Sequence, residues 1–369
     1  MKTNKLFIFI ITLQILSCFL IQEVNLVAAR FTSLASFFAL AALVGERVLS
    51  SPEGPVAALK DREILIALAG CMVAMINLFV IGSNKGAFLT AADLLLACVC
   101  LGFFELTRGE KLFVCSVGAV LLIWWYCTVR WYFNFNMAGM IFMLTGILSM
   151  LLMELIMEGR PDMGYLRFVQ VIQYLTATLL CLLYHSRCVL AGMLAFGLLY
   201  LMLPLVCKSR VLKGMLVALC TAGSLLFTAL YILMDRWGIN ITILYKDILS
   251  GRQHIWKELW EAFGAMPLTG IGSSYHLKSF FIFEVHNGLF DILAVHGIIV
   301  FAAVMVLLVK RLYEALGACG SVYDRLRLAA AFSMLLISFF ENFFINSPYL
   351  LLFMFFLAPG RNKEVKNEA

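Results

Sequence analysis

The sequence predicts an all-α fold: a polytopic integral membrane protein with about twelve transmembrane helices. Of the 369 residues, 63% are hydrophobic and only 14% are charged, and the mean hydropathy is +0.96. Apolar windows of roughly 17–25 residues, the length that crosses about 30 Å of hydrocarbon, recur along the whole chain. A soluble domain of this size would need far more polar surface. The net charge of +6 therefore says little about nucleic acid, which we do not expect as a partner.

The predicted spans follow one another through short connections, except before the tenth. They occupy residues 6–28, 32–48, 63–81, 88–106, 112–129, 135–157, 168–184, 189–207, 214–234, 288–309, 328–344 and 348–360. The last span is short, which favours a tilted or re-entrant segment. Residues 1–20 could form a signal peptide, but the apolar run continues past Cys18 towards Ala29, which favours a retained first helix.

Lysine and arginine residues predict the orientation. With the N-terminus in the cytoplasm, most of the 28 basic residues fall in cytoplasmic segments. Each outer connection then carries at most one basic residue, apart from the long segment 235–287. We therefore expect a multi-pass protein of the cytoplasmic (inner) membrane with both termini in the cytoplasm. The long loop 235–287 is predicted to be extracytoplasmic.

The long loop contains one predicted helix. Apolar and aromatic side chains recur at helical spacing from Gly251 to Phe263, and Ser250 can cap the helix start. We expect this short helix to lie along the membrane surface, with Trp256 and Trp260 at the interface. The turn-rich stretch PLTGIGSS at 267–274 cannot continue it.

The cysteines do not indicate a disulfide framework or a metal site. The chain has eleven, scattered singly and mostly inside apolar runs, with no CxxC pair. Small buried apolar residues are the better interpretation.

Three predicted outer-face residues carry candidate chemistry. Arg187 lies in the tight connection HSRC, Arg252 on the loop helix, and His286 at the entrance of the tenth span. Two arginines offer planar, permanently charged donors for phosphate or diphosphate oxygens, and a histidine can accept a proton near neutral pH. Each residue alone also fits a plainer role, an arginine that snorkels to lipid head groups or a solvated helix end.

Several acidic residues lie in or near predicted spans, where ionisable groups are costly. Glu341 falls at the same predicted depth as His286. It could line the site of a bound substrate, orient a catalytic group or form a structural pair. Asp291 could reach His296 only through water or an irregular turn, and we assign it no chemistry. Glu284 is expected at the loop surface, and Arg130 is expected in an aromatic belt.

One block of sequence resembles the core of the O-antigen ligase and polysaccharide polymerase superfamily. The pattern comprises Gly251-Arg252, Trp256, Phe263, Pro267-Leu268, Gly270-Ile271-Gly272, His286-Asn287 and Gly297, preceded by Ser186-Arg187. The resemblance covers roughly residues 180–345. It divides the chain into N-terminal transmembrane helices (1–180), an O-antigen ligase-like core (181–345) and a last short span with a cytoplasmic tail (346–369). Cys188 and Asp291 depart from the residues usual in the family.

The resemblance implies a GT-C-like helical fold and a metal-independent, inverting glycosyltransferase without a cofactor. The donor would be an undecaprenyl-diphosphate-linked glycan on the outer face of the membrane, and the acceptor a glycan or lipid-linked glycan. Arg187 and Arg252 would bind the diphosphate, His286 would act as the base, and Asn287 would place the histidine or a sugar hydroxyl. Because the chain is short and its loop compact, a polymerase is favoured over a ligase.

A transporter or flippase of lipid-linked glycan is the alternative from another class. Such proteins show inverted repeats, paired broken helices and charges near the bilayer midplane. The sequence predicts none of these features, and its polar residues collect on one face.

Overall fold

The computed structural model describes residues 2–20, 25–52, 54–128, 135–158, 160–239, 241–243, 246–278, 285–347 and 349–359. This part of the chain is helical apart from one short antiparallel ladder between β1 (Thr242–Ile243) and β2 (Lys246–Asp247). The predicted all-α class is therefore confirmed.

The helices lie close to the predicted segments. In chain order they are α1 (Lys2–Leu20), α2 (Asn25–Leu49), α3 (Pro55–Ala58), α4 (Arg62–Val80), α5 (Lys85–Cys100), α6 (Arg108–Thr128), α7 (Phe135–Met157), α8 (Tyr165–Leu183), α9 (Arg187–Val206), α10 (Arg210–Cys220), α11 (Ala222–Arg236), α12 (Arg252–Ala265), α13 (Gly288–Gly317), α14 (Val322–Ile337) and α15 (Tyr349–Leu357). Short 3₁₀ turns occupy Pro161–Met163 and Phe343–Ile345.

The chain is a polytopic membrane protein. Among the described residues, six helical segments are long and apolar enough to cross a membrane: Phe31–Leu49 within α2, and α4, α7, α8, α9 and α13. The pair α10 and α11 adds a seventh if it forms one span, bent by 49°. The prediction of about twelve spans is not confirmed. The span predicted at 214–234 falls in this bent pair. The chain breaks there at Thr221, whose side chain donates to the carbonyl of Val217 at 2.7 Å.

The last two predicted spans are shorter than expected. α14 ends at Ile337 rather than near residue 344, and turns follow it as far as Ile345. α15 has nine residues, about 14 Å at 1.5 Å per residue. It is buried along its whole length, so it packs inside the protein instead of facing lipid as a full span. The early end of α14 leaves Glu341 on a turn.

α7 lies at the centre of the bundle. Its residues are apolar around the whole circumference, as expected for a buried helix, and most of them are buried. It packs against α6, α8, α9 and α14. Burial of this apolar surface stabilises the bundle and fixes the start of α7 beside the start of α9.

α13 is broken at Gly297, and the loop segment 267–272 fills the break. Gly297 has φ 81 and ψ 175, outside the helical region. The amides of Ile271 and Gly272 donate to the carbonyls of Ala294 and Val295 at 2.8 and 3.1 Å. The segment therefore satisfies backbone groups that the break would leave unpaired. This explains the turn-rich PLTGIG stretch.

The two glycines at the break lie backbone to backbone. A Cβ on Gly270 would lie 2.5 Å from the amide nitrogen of Gly297, and a Cβ on Gly297 would lie 2.6 Å from that of Gly270. Only residues without a Cβ allow this approach. The amide of Asn77 on α4 adds bonds to the carbonyls of Thr269 (2.8 Å) and His296 (3.2 Å).

The predicted loop helix is present as α12, but two details of its prediction are wrong. Ser250 does not cap it; Gly251 precedes the helix without a side-chain cap. Trp256 does not lie at a lipid interface either. It is fully buried, and its ring nitrogen donates to the carbonyl of Val285 at 2.6 Å. The half-buried Trp260 donates to Thr228 at 2.9 Å. The apolar face of α12 thus packs on α11 and α13.

Candidate active site

Three helix starts frame the candidate site. α9 begins at Arg187, α12 at Arg252, and α13 at Gly288, two residues after His286. The first N–H groups of α9 and α12 have no side-chain cap. A helix start presents unpaired N–H groups and the positive end of the helix dipole, so this arrangement suits an anion.

Each helix start is preceded by a strained residue. His185, Ser250 and His286 have φ values of 53, 50 and 52, and they are the non-glycine residues with positive φ in the described ranges. This conformation costs about 1–3 kcal/mol per residue and persists only where the surroundings hold it. Such strain recurs at functional sites, and here it occurs beside all three helix starts.

Glu341 connects two of these starts. Its Oε1 accepts a hydrogen bond from Nη2 of Arg252 at 2.9 Å, and its Oε2 lies 3.1 Å from Nδ1 of His286. The side chains of Glu341, Arg252 and His286 are 10%, 14% and 27% exposed. The ion pair is thus largely shielded from water, whereas the imidazole keeps more access to solvent. The turns after α14 bring the carboxylate here from far along the chain.

Arg187 reaches the site through the turn before α12. Its Nη1 donates to the carbonyl of Asp247 at 3.1 Å, and its Nη2 donates to Oγ of Ser250 at 3.0 Å. Ser250 also donates to the carbonyl of Asp247 at 2.7 Å. Ser250 lies two residues before Arg252 in the sequence. The two predicted arginines therefore share one locality.

Asn287 lies behind the site rather than in it. It is fully buried, and its Oδ1 caps α13 through the amide of Phe290 at 3.0 Å. The same oxygen accepts from the hydroxyl of Ser224 at 2.8 Å, and Nδ2 donates to the carbonyls of Ser224 and Phe339. Both polar atoms of the side chain are thus hydrogen-bonded within the protein. Asn287 can therefore act on the chemistry only by fixing the backbone of its neighbour His286.

Asn136 is a site residue that the sequence interpretation missed. Its Nδ2 donates to Oε1 of Glu341 at 2.7 Å, and its Oδ1 lies 3.4 Å from the hydroxyl of Ser186. α7 and α9 approach closely here, since a Cβ on Gly139 would lie 2.6 Å from Cβ of Ser186. The available signal was one amide side chain at the start of a predominantly apolar helix.

Asp291 and His296, two other polar residues of the predicted spans, do not contact the candidate site in the contacts described. Asp291 accepts a hydrogen bond from Asn342 at 3.3 Å, which ties the first turn of α13 to the turn that carries Glu341. His296 is buried, and its Nδ1 has no hydrogen-bond partner among the described residues. Glu284 and Arg130 lie outside the described residues.

The fold and this site define a class: an integral membrane protein with cationic and imidazole side chains gathered at three helix starts. Residues 172–305 match the family model for O-Antigen ligase. The match of this segment supports a relationship to the O-antigen ligase-like superfamily of membrane enzymes. The predicted resemblance is therefore confirmed.

The matched domain includes Arg187, Arg252 and His286, whereas Asn136 and Glu341 come from outside it. The match is also shorter than the range 180–345 expected from the motifs. Comparisons of the chain with curated proteins and with solved structures give no match.

Proposed function

We propose that this protein is a membrane glycosyltransferase that transfers or polymerises an undecaprenyl-diphosphate-linked glycan on the outer face of the cytoplasmic membrane. One observation carries the proposal. A carboxylate, Glu341, contacts both an arginine and a histidine at helix starts, and a second arginine, Arg187, donates hydrogen bonds to the turn before α12.

In this proposal Arg187 and Arg252 bind the donor diphosphate. Nε of Arg252 is buried and has no hydrogen-bond partner in the described parts of the chain. A buried guanidinium N–H without a partner costs about 1–3 kcal/mol, which a phosphate oxygen would offset. The starts of α9 and α12, which have no side-chain cap, add a favourable helix dipole for the same anion.

His286 is the proposed base. With Nδ1 directed to Glu341, proton transfer falls to the other ring nitrogen, Nε2. The carboxylate holds the ring in one orientation and stabilises the imidazolium that forms, as an acid does for histidine in other proton-transfer sites. Glu341 and Asn287 are positioning residues here, Glu341 through its carboxylate and Asn287 through the backbone.

The step is a single displacement. The acceptor hydroxyl oxygen forms a bond to the anomeric carbon of the donor glycan, and His286 takes the hydroxyl proton. The bond between that carbon and the diphosphate oxygen breaks, and its electron pair leaves on the lipid diphosphate. The arginines stabilise the leaving charge. Attack from the side opposite the diphosphate inverts the anomeric configuration.

We favour a polymerase over a ligase because the loop between α11 and α13 is compact and the sequence indicates no lipid A acceptor. The two activities differ in product: a polymerase gives a ladder of glycan lengths on the carrier lipid, and a ligase moves the glycan to another lipid. The proposed metal independence predicts that transfer continues in excess EDTA.

The direct test is His286→Ala in membranes that contain the lipid-linked donor. Glycan transfer should fall to background, while expression and membrane insertion stay at the wild-type level. His276→Ala is the matched control, since His276 is an exposed histidine of the same loop. Full transfer by the His286→Ala protein would refute the assignment.

One observation favours the flippase alternative. Contrary to expectation, the chain has broken helices, at Gly297 in α13 and between α10 and α11. Discontinuous helices form substrate sites in many transporters. Here, however, the carbonyls at Gly297 bond to the protein's own segment 267–272. Movement of a lipid-linked glycan across liposomes by the purified protein, without formation of a glycosidic bond, would favour the flippase.

A further inference from the structure

A groove lies at the end of the bundle opposite the candidate site. It has a volume of about 670 Å³ and runs between α7, α8, α9 and α14. α9 begins in the site at Arg187 and lines the groove from Phe196, about 14 Å further along at 1.5 Å per residue. The groove is therefore separate from the proposed chemistry, and its volume falls within the roughly 300–1,000 Å³ of ligand-binding cavities.

The inner walls of the groove present apolar surface. The rings of Tyr174 and Phe196 lie with centroids 6.0 Å apart. The hydroxyl of Tyr174 donates to the carbonyl of Met193 at 3.0 Å, and the amide of Gln170 donates to the carbonyl of Met150 at 2.9 Å. These polar groups are thus engaged with backbone, and the remaining wall suits a hydrocarbon chain.

Two arginines mark the polar end of the groove. Arg167 lines it from the first turn of α8. Arg325 lies over the ring of Tyr200, a wall residue, with Cζ 5.3 Å from the ring centroid. Neither arginine forms an ion pair with Asp or Glu within the described ranges. Two guanidinium groups beside an apolar groove complement a phosphate attached to a hydrocarbon chain.

We propose that this groove binds one anionic phospholipid from the leaflet opposite the candidate site. An acyl chain occupies the apolar walls, and Arg167 and Arg325 hold the phosphate head group. The site is independent of the proposed glycosyl transfer. It ties α8 to α14, and α14 leads directly to the turn that carries Glu341.

The test uses the full chain reconstituted into vesicles of phosphatidylglycerol, of phosphatidylcholine, or of both in equal amounts. After extraction, native mass spectrometry counts the lipids that stay bound. We expect one retained phosphatidylglycerol and a preference over phosphatidylcholine of roughly thirtyfold, the scale of two basic side chains acting on one anionic head group.

Different variants test the contacts to the lipid head group and the binding of the acyl chain in the groove. The double variant Arg167→Gln/Arg325→Gln should lose most of the preference, whereas Arg160→Gln/Lys208→Gln, which removes two exposed charges outside the groove, should keep it. Leu198→Trp, which places a large ring in the groove, should abolish retention of either lipid.

Three outcomes would overturn the proposal: equal retention of the two lipids, unchanged preference in Arg167→Gln/Arg325→Gln, or a bound polyprenyl lipid in place of the phospholipid. Glycan transfer by the same preparations is measured in parallel. Since Arg167 and Arg325 lie outside the proposed active site, loss of lipid preference with transfer intact supports this site alone.

Discussion

An alanine at Gly297 tests whether the break in α13 holds the segment 267–272. The new Cβ would lie 2.6 Å from the amide nitrogen of Gly270, and the residue has φ +81. With ψ 175 as well, Gly297 lies in a backbone region that is populated almost only by glycine, and an alanine there costs about 1–3 kcal/mol. Displacement of the segment would also remove three backbone bonds, donated by Ile271, Gly272 and Ile298. At about 1 kcal/mol for each bond, the total destabilisation is roughly 4–6 kcal/mol.

Gly238→Ala supplies the control. Gly238 has a similar φ of +65, but a Cβ there would meet nothing within 4 Å. It should therefore cost only the backbone strain, about 1–2 kcal/mol. In thermal unfolding of the detergent-solubilised protein at a fixed scan rate, we expect Gly297→Ala to lower Tm by roughly 8 °C or more and Gly238→Ala by about 3 °C. Equal losses would refute the close backbone approach as the cause.

Three further substitutions test the site. Asn287→Ala removes the cap of α13 and buried hydrogen bonds, and should lower the free energy of unfolding by about 2–4 kcal/mol, measured as Tm against wild type. Glu341→Gln keeps the size of the side chain but loses the charge, and should reduce kcat for glycan transfer about 10²–10⁴-fold, with KM for the acceptor nearly unchanged. Asn136→Leu removes one donor to Glu341 and should reduce kcat about tenfold. Wild-type kcat in either of the last two variants would contradict a positioning role for Glu341.

The positions of the helices followed from the sequence to a large extent. Apolar windows found nearly every helix, and helical spacing found α12 inside the loop. The failures have a common physical origin. Periodicity reports apolar faces, not backbone breaks, so it joined α10 to α11 across Thr221 and extended α14 to residue 344. The apolar spacing continues through Thr221 and through the turn after Ile337, so the spacing gives no sign of either break.

The sequence predicted several residues of the candidate site, but not which of them contact one another. Charge bias assigned Arg187, Arg252 and His286 to one face, because each lies in a connection on the same side of the predicted membrane. Glu341 was singled out because its predicted depth in the membrane matches that of His286. The sequence around it does not indicate which side chains it bonds to. Asn136 was missed because a single amide at the start of an apolar helix has no local pattern.

The sequence by itself determined the class of the protein, since a chain this apolar can bury its surface only in a membrane and its motifs mark an O-antigen ligase domain. The tertiary structure decided how the site is assembled. Arg252 and Glu341 meet at 2.9 Å only because α14 stops early and turns back over the start of α13. Likewise, the sequence places Gly270 in a loop and Gly297 in a helix, and only the structure shows that their backbones lie against each other. Such contacts depend on how distant helices pack, and no local stretch of the chain encodes that packing.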